Sequence, residues 1–142
     1  MISYRDSILI HAPVAAVYSY INDLSTMPEW LTGLVEVRNL VGDGEGQQCE
    51  WTFKLAGIPL HGEAVIIECV TDRKSVHQTI GMIGATWTSL VEPHEGGTKL
   101  SIDVEYSLPG AVLGRLAEHL TVRRMSRDLH ASLLNAKDLL EG

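Results

Sequence analysis

The chain has 142 residues, 45% of them hydrophobic and 20% charged, which predicts one folded domain with its own core. The formal net charge of −7 argues against a nucleic-acid-binding protein, because such proteins usually present a basic surface to the phosphates. No run of about 18 apolar residues occurs, so no stable membrane insertion is expected. Arg5 and Asp6 lie where a secretory signal needs apolar residues, which favours a cytoplasmic protein.

The sequence contains neither a zinc-site motif nor a dinucleotide-binding motif. Cys49 and Cys69 are the two cysteines, and neither has a neighbour at the spacing of a zinc site, so both are expected to be reduced thiols. The glycines of segment 42–46 join two predicted strands, whereas a dinucleotide fingerprint joins a strand to a helix. We therefore expect no metal and no cofactor.

The predicted elements in chain order are one strand, two short helices, six strands and one long helix. Alternation of apolar and polar residues predicts strands over 2–10, 34–41, 48–55, 60–70, 74–80, 85–91 and 99–108. Apolar residues at helical spacing predict a helix over 13–22. Ser25 as a cap and Pro28 in the first turn predict a second helix over 23–31. Segment 111–141 has no proline and no glycine except Gly114, which predicts a long helix. Hairpin-length connections then predict a consecutive antiparallel sheet in an α+β fold. A curved sheet wrapped around one helix leaves an internal space, which is typical of a container.

The long predicted helix carries two apolar stripes that differ in direction by roughly 160°. The first stripe comprises Leu113, Leu116, Ala117 and Leu120, and the second comprises Met125, Leu129, Leu133, Ala136 and Leu140. One straight helix cannot bury both stripes against one sheet. Either the helix bends near Thr121–Arg124, or its first half packs against loops, the two short helices, a partner subunit or a ligand. In the last case it would form a lid at the mouth of the internal space.

Four segments form a recognisable set: IHAPVAAVYSYIND at 10–23, MPEW at 27–30, GGTKL at 96–100 and YSLPG at 106–110. These segments resemble the START-like (SRPBCC) superfamily, in its branch of polyketide cyclase/dehydrase and lipid-transport proteins. They place an alanine-proline before the first helix, an aspartate at its end and a proline-x-tryptophan in the second helix. The resemblance covers essentially the whole chain. It implies a helix-grip fold, in which a seven-stranded antiparallel sheet grips the C-terminal helix around a hydrophobic cavity.

His61 and Glu63 are candidate catalytic residues, because they lie two apart on a predicted strand and project to one face. That face also carries Val65, Ile67 and Cys69, which predicts that it points inward, where an imidazole beside a carboxylate could act as a general base. The alternative is the opposite phase, with both residues on the surface and a bulge at Gly62 that turns the later residues inward.

Aromatic residues supply the other candidates for a ligand site, because large rings make rigid apolar walls. The alternative for each is an ordinary core residue, or an exposed residue in the case of His119. Tyr106 is also the third catalytic candidate. The complete set of predicted ligand-binding residues is Trp30, Trp51, Phe53, His61, Glu63, Trp87, Tyr106, Leu116, His119 and Leu120.

Three functional hypotheses follow. The first is a protein, monomeric or homodimeric, that binds a small hydrophobic molecule in an internal cavity; the resemblance implies a lipid, polyketide, isoprenoid or aromatic metabolite. The second is an enzyme of polyketide cyclase or dehydratase type, which needs polar groups placed to move protons inside the cavity. The third is an interaction module that uses the first stripe of the long helix and exposes an apolar patch there.

Overall fold

Seven antiparallel strands form one curved sheet in the computed structural model, which describes residues 2–55, 57–107 and 118–142, and the side chains of 3–55, 57–107 and 123–142. The strands are β1 (Ile2–Ile10), β2 (Leu34–Val41), β3 (Gln48–Leu55), β4 (Ile58–Val70), β5 (Lys74–Gly81), β6 (Gly84–His94) and β7 (Gly97–Ser107). Their order across the sheet is β1-β7-β6-β5-β4-β3-β2. All seven predicted strands are therefore confirmed, and β4, β6 and β7 each begin earlier than the alternation predicts.

Two short helices and one long helix complete the α+β fold. They are α1 (Val14–Ile21), α2 (Met27–Trp30) and α3 (Glu118–Glu141), with a 3-10 turn over Leu24–Thr26 before α2. The predicted helical residues 111–117 lie outside the described residues. The first apolar stripe, and with it the predicted interaction patch, therefore remains a prediction. Within α3 the backbone is helical without interruption through Thr121–Arg124.

The second apolar stripe of α3 packs into the core, and all of its members are buried except Leu140, which is partly buried. Met125, Leu129, Leu133 and Ala136 recur at helical spacing and belong to one core cluster with the inner face of the sheet. This face of α3 packs on β1 and α2. The helix therefore covers one side of the sheet and leaves α2 to cover the rest.

Polar ties hold α3 along β1, which is an edge strand of the sheet. Lys137 Nζ donates to the Leu9 carbonyl oxygen at 2.7 Å, and the His11 backbone N–H donates to Glu141 Oε2 at 2.8 Å. The latter hydrogen bond is the main cause of a lowered pKa of the Glu141 carboxyl. An edge strand exposes unpaired backbone groups, and these ties cover part of that edge.

Both cysteines are free thiols, in agreement with the sequence prediction. Cys49 is buried, and desolvation is the main cause that raises the pKa of its thiol to about 11. A thiol of this kind packs as a small apolar residue. None of the helices in the described parts of the chain is both long and apolar enough to span a bilayer.

Candidate functional site

A cavity lies between the inner face of the sheet and the cover formed by α2 and α3. Its volume is about 80 Å³. Apolar and aromatic side chains from the 3-10 turn, α2, five of the strands and α3 make up most of its wall. This composition, with a few polar groups among apolar ones, is typical of a site for a small molecule.

The aromatic residues predicted from sequence to face inward do line this cavity. They are Trp30 from α2, Trp51 and Phe53 from β3, Trp87 from β6 and Tyr106 from β7. Tyr106 is fully buried and packs edge to face on Tyr4, with ring centroids 5.6 Å apart. Desolvation by burial raises the pKa of the Tyr4 hydroxyl above its usual range. Five members of the predicted ligand-binding set are thus brought together.

Two of these rings rest against glycines. A Cβ on Gly62 would lie less than 3.0 Å from both the Trp51 ring and the Ile80 carbonyl oxygen. A Cβ on Gly33 would lie 2.7 Å from Cζ of Phe53, and Gly33 also has a φ of +96°, which other residues rarely adopt. Both aromatic walls therefore depend on the absence of a side chain beside them.

The cover formed by α2 is anchored to α3 by side-chain hydrogen bonds. The Thr32 backbone N–H donates to Ser132 Oγ at 2.8 Å, and Ser132 Oγ donates to the Asp128 carbonyl oxygen at 2.7 Å. Asn135 Nδ2 donates to the Trp30 carbonyl oxygen at 3.2 Å. These bonds fix the end of α2 and therefore the position of Trp30 over the cavity.

Replacing Ser132 with alanine is expected to lower the free energy of unfolding by about 1–2 kcal/mol, because the partly buried Thr32 N–H then loses its acceptor. Urea denaturation measures this loss. Ser126→Ala, on the same helix and without a side-chain hydrogen bond among the described residues, is the control and should change stability by less than about 0.5 kcal/mol. Equal effects of the two substitutions would show that the bond to Thr32 contributes nothing.

The inward placement of His61 and Glu63 is wrong. Both are exposed on the outer face of β4, while Leu60, Ala64 and Ile66 point inward. His61 Nδ1 lies 3.2 Å from Thr52 Oγ1 on that outer face. The alternative phase considered for this strand is the one found.

A β-bulge changes the phase farther along β4, but it does not lie at Gly62. The pairing with β5 shifts between Ile66 and Glu68, and beyond this point Cys69 faces the core. Sequence alone does not locate such an irregularity. The three predicted catalytic residues are therefore not assembled, since Tyr106 lies inside the sheet while the other two lie outside.

The candidates on the long helix are not tested. Leu116 lies outside the described residues. His119 and Leu120 belong to α3, but their side chains also lie outside the described part of the chain. Their role at the mouth of the cavity remains a prediction.

A buried polar cluster that the sequence analysis missed lies on β5. Ser75 and His77 are buried, and Ser75 Oγ is 2.9 Å from His77 Nε2. The Ser75 hydroxyl also donates to Oδ1 of Asn22 at the end of α1, and the Cys69 thiol lies 3.4 Å from the same oxygen. His77 lines the cavity together with the polar residues Thr79 and Ser89. In this part of the interior a series of hydrogen-bonded polar side chains replaces a continuous apolar wall.

Desolvation of His77 lowers the pKa of its imidazole to about 4, so the ring is neutral at neutral pH. A histidine of this kind is a weak base. None of the described residues that line the cavity carries a carboxylate. The described lining residues therefore offer apolar contact and neutral hydrogen bonding.

Solved structures with the same architecture cover the whole chain. The protein TTHA0849 from Thermus thermophilus is 18% identical with a TM-score of 0.85, over 98% of this chain and 97% of that one. The di-domain ARO/CYC proteins StfQ, of the steffimycin biosynthetic pathway, and BexL, of the BE-7585A pathway, are 19% and 24% identical with TM-scores of 0.76 and 0.74. This chain is covered to 98% and 99%, and each of those chains to 50%. These similarities establish the fold.

The comparison by sequence is more specific about the family. No curated protein matches the sequence. The family described as "Polyketide cyclase / dehydrase and lipid transport" matches residues 1–141, which is nearly the entire chain. The helix-grip architecture and the resemblance found in the sequence agree with this match. The chain therefore belongs to the polyketide cyclase/dehydrase and lipid-transport family.

Proposed function

We propose that the protein binds a small hydrophobic molecule in the cavity between the sheet and helices α2 and α3. The observation that carries this proposal is the wall itself, in which five aromatic side chains and many aliphatic ones surround a space with few polar groups. The family description names lipid transport and polyketide chemistry, which supports a lipid, polyketide, isoprenoid or aromatic metabolite as the ligand class. We propose a cytoplasmic location for this activity.

An enzymatic role of polyketide cyclase or dehydratase type is the second candidate. It is supported by the similarity to the ARO/CYC proteins and by the presence of His77 in the cavity. Binding is preferred because the cavity-lining residues that the structure describes include no carboxylate to share in proton transfer. Release of an unchanged compound from the purified protein would support a carrier, whereas conversion of an added polyketide would support an enzyme.

The first test is mass spectrometry of the full chain under native conditions, followed by organic extraction and analysis of what is released.

The second test is calorimetric titration with p-xylene, an apolar probe of single-ring size. We expect Ala85→Leu to weaken p-xylene binding by about ten-fold or more, because Ala85 is buried in the cavity wall and the added atoms occupy the space.

Thr86→Leu is the matched control. Thr86 is the next residue of β6, and its side chain therefore points to the opposite face of the sheet, where it lines an outer groove. It should leave p-xylene binding unchanged. A thermal melt of both variants verifies that they fold. An empty protein that binds neither p-xylene nor a panel of lipids and aromatic polyketides would contradict the proposal.

A further inference from the structure

We infer that Nδ1 of His77 is a hydrogen-bond acceptor for a hydroxyl group of the molecule held in the cavity. This inference rests on the proposed function and adds the ligand's polar chemistry to it. The ligand class is a largely apolar molecule, about the size of one aromatic ring, that carries a phenol, enol or alcohol O–H. A ligand with only a carbonyl or an ether oxygen has no proton to give to this site.

The hydrogen bonds of Ser75 determine which nitrogen of His77 carries the proton. Ser75 has one hydroxyl proton, and it is donated to Oδ1 of Asn22. The contact of 2.9 Å between Ser75 Oγ and His77 Nε2 must then have the imidazole as its donor. A neutral imidazole with its proton on Nε2 has a bare lone pair on Nδ1. The serine and the asparagine thus select one tautomer.

The surroundings of His77 leave that lone pair for an occupant of the cavity. The ring is 5% exposed and lines the cavity, and no described residue forms a hydrogen bond with Nδ1. Burial also keeps the ring neutral at neutral pH, so the acceptor is not removed by protonation. An acceptor on the wall of a mostly apolar cavity gains a hydrogen bond when an O–H group occupies that cavity.

Two other polar groups in the same wall agree with a hydroxyl. Trp30 and Trp51 both line the cavity, and their buried indole N–H groups have no hydrogen-bond partner among the described residues. An indole N–H only donates, so it needs an acceptor. A hydroxyl oxygen can accept from a donor while its proton is given to His77, whereas a methyl group can do neither.

The test compares p-cresol with p-xylene, which replaces the hydroxyl by a methyl group of similar size. Both are titrated by calorimetry into the full chain and into His77→Phe. We expect His77→Phe to weaken p-cresol binding relative to p-xylene binding by about ten-fold, because the O–H loses its acceptor. Ser75→Ala releases the tautomer and should reduce the preference for p-cresol while p-xylene binding is kept. In both variants the readout is the ratio of two affinities, which a general loosening of the fold would not change selectively.

A second measurement needs no substitution. The ¹⁵N chemical shifts of the His77 ring distinguish a protonated nitrogen from a bare one. We expect Nε2 to be protonated and Nδ1 to be bare, with the Nδ1 resonance moving on addition of p-cresol but not of p-xylene. A protonated Nδ1 would overturn the inference. It would also be overturned if p-xylene bound and p-cresol bound equally well to the full chain and to His77→Phe. Either result leaves the proposed function intact. Failure of both ligands to bind would contradict the proposed function itself.

Discussion

Replacing Gly62 with alanine is expected to lower the free energy of unfolding by about 3 kcal/mol and to weaken p-xylene binding. The new Cβ would lie less than 3.0 Å from the carbonyl oxygen of Ile80, which belongs to the neighbouring strand and cannot rotate away. It would also press on the Trp51 ring, which is part of the cavity wall. The strand pairing and the wall must therefore both shift. Urea denaturation and calorimetric titration measure the two effects.

Gly84→Ala is the matched control, because Gly84 also lies within a strand and has an ordinary φ. Its Cβ would meet only Ser107 Oγ, at 3.4 Å, which is close to ordinary contact. We expect a change in stability below about 1 kcal/mol and unchanged p-xylene binding. If Gly62→Ala behaved like this control, the contact between Trp51 and β4 would not limit the shape of the cavity.

The second large effect is a loss of stability on acidification that His77 causes. An ordinary histidine has a pKa of 6.5, and burial lowers that of His77 to about 4. Between these two values the unfolded chain binds a proton that the folded protein does not bind. The free energy of unfolding therefore falls as the pH is lowered through this window. Above pH 6.5 His77 causes no such loss of stability. The difference between the two pKa values corresponds to about 3 kcal/mol at pH 4.

His77→Gln removes the titrating group. Between pH 7 and pH 4 the free energy of unfolding of this variant should therefore fall by about 3 kcal/mol less than that of the unaltered protein. Urea denaturation at several pH values measures the slope for each protein. Ser89→Ala is the control, because Ser89 lies in the same wall but does not titrate. Its slope should equal that of the unaltered protein. Equal slopes for His77→Gln would mean that the imidazole is protonated as readily in the folded state as in the unfolded chain.

The order of elements and most of the cavity wall could be predicted from the sequence. In β3 and β7 the large apolar residues all fall on alternate positions, so the inner face is unambiguous for residues such as Trp51 and Tyr106. The buried face of the long helix is equally clear where Met125, Leu129 and Leu133 recur at helical spacing. In these cases a regular alternation of apolar and polar residues is sufficient to identify the buried face.

The faces of β4 and β5 could not be predicted in the same way, because a period of two shows which residues share a face but not which face is buried. In β5 the inner residues are Ser75, His77 and Thr79, while the apolar Ile80 is exposed. Hydrophobicity therefore indicates the wrong side. Burial of Ser75 is possible because Asn22 accepts its hydrogen bond, and that partner is 53 residues away along the chain. Long-range partners of this kind leave no local signal.

The pairing of β1 with β7 has a consequence for how the protein folds. Ile2 pairs with Tyr106 and Ile10 pairs with Thr98, so this ladder joins segments that are far apart in sequence. Contacts of such long range must overcome a large loop-closure entropy, and proteins dominated by them fold slowly. Strands β2 to β7 can form successive hairpins as they emerge from the ribosome, but β1 has to wait for β7. Its backbone therefore remains without its sheet partner until β7 has been synthesised, and an unpaired strand is prone to associate with another chain during that time.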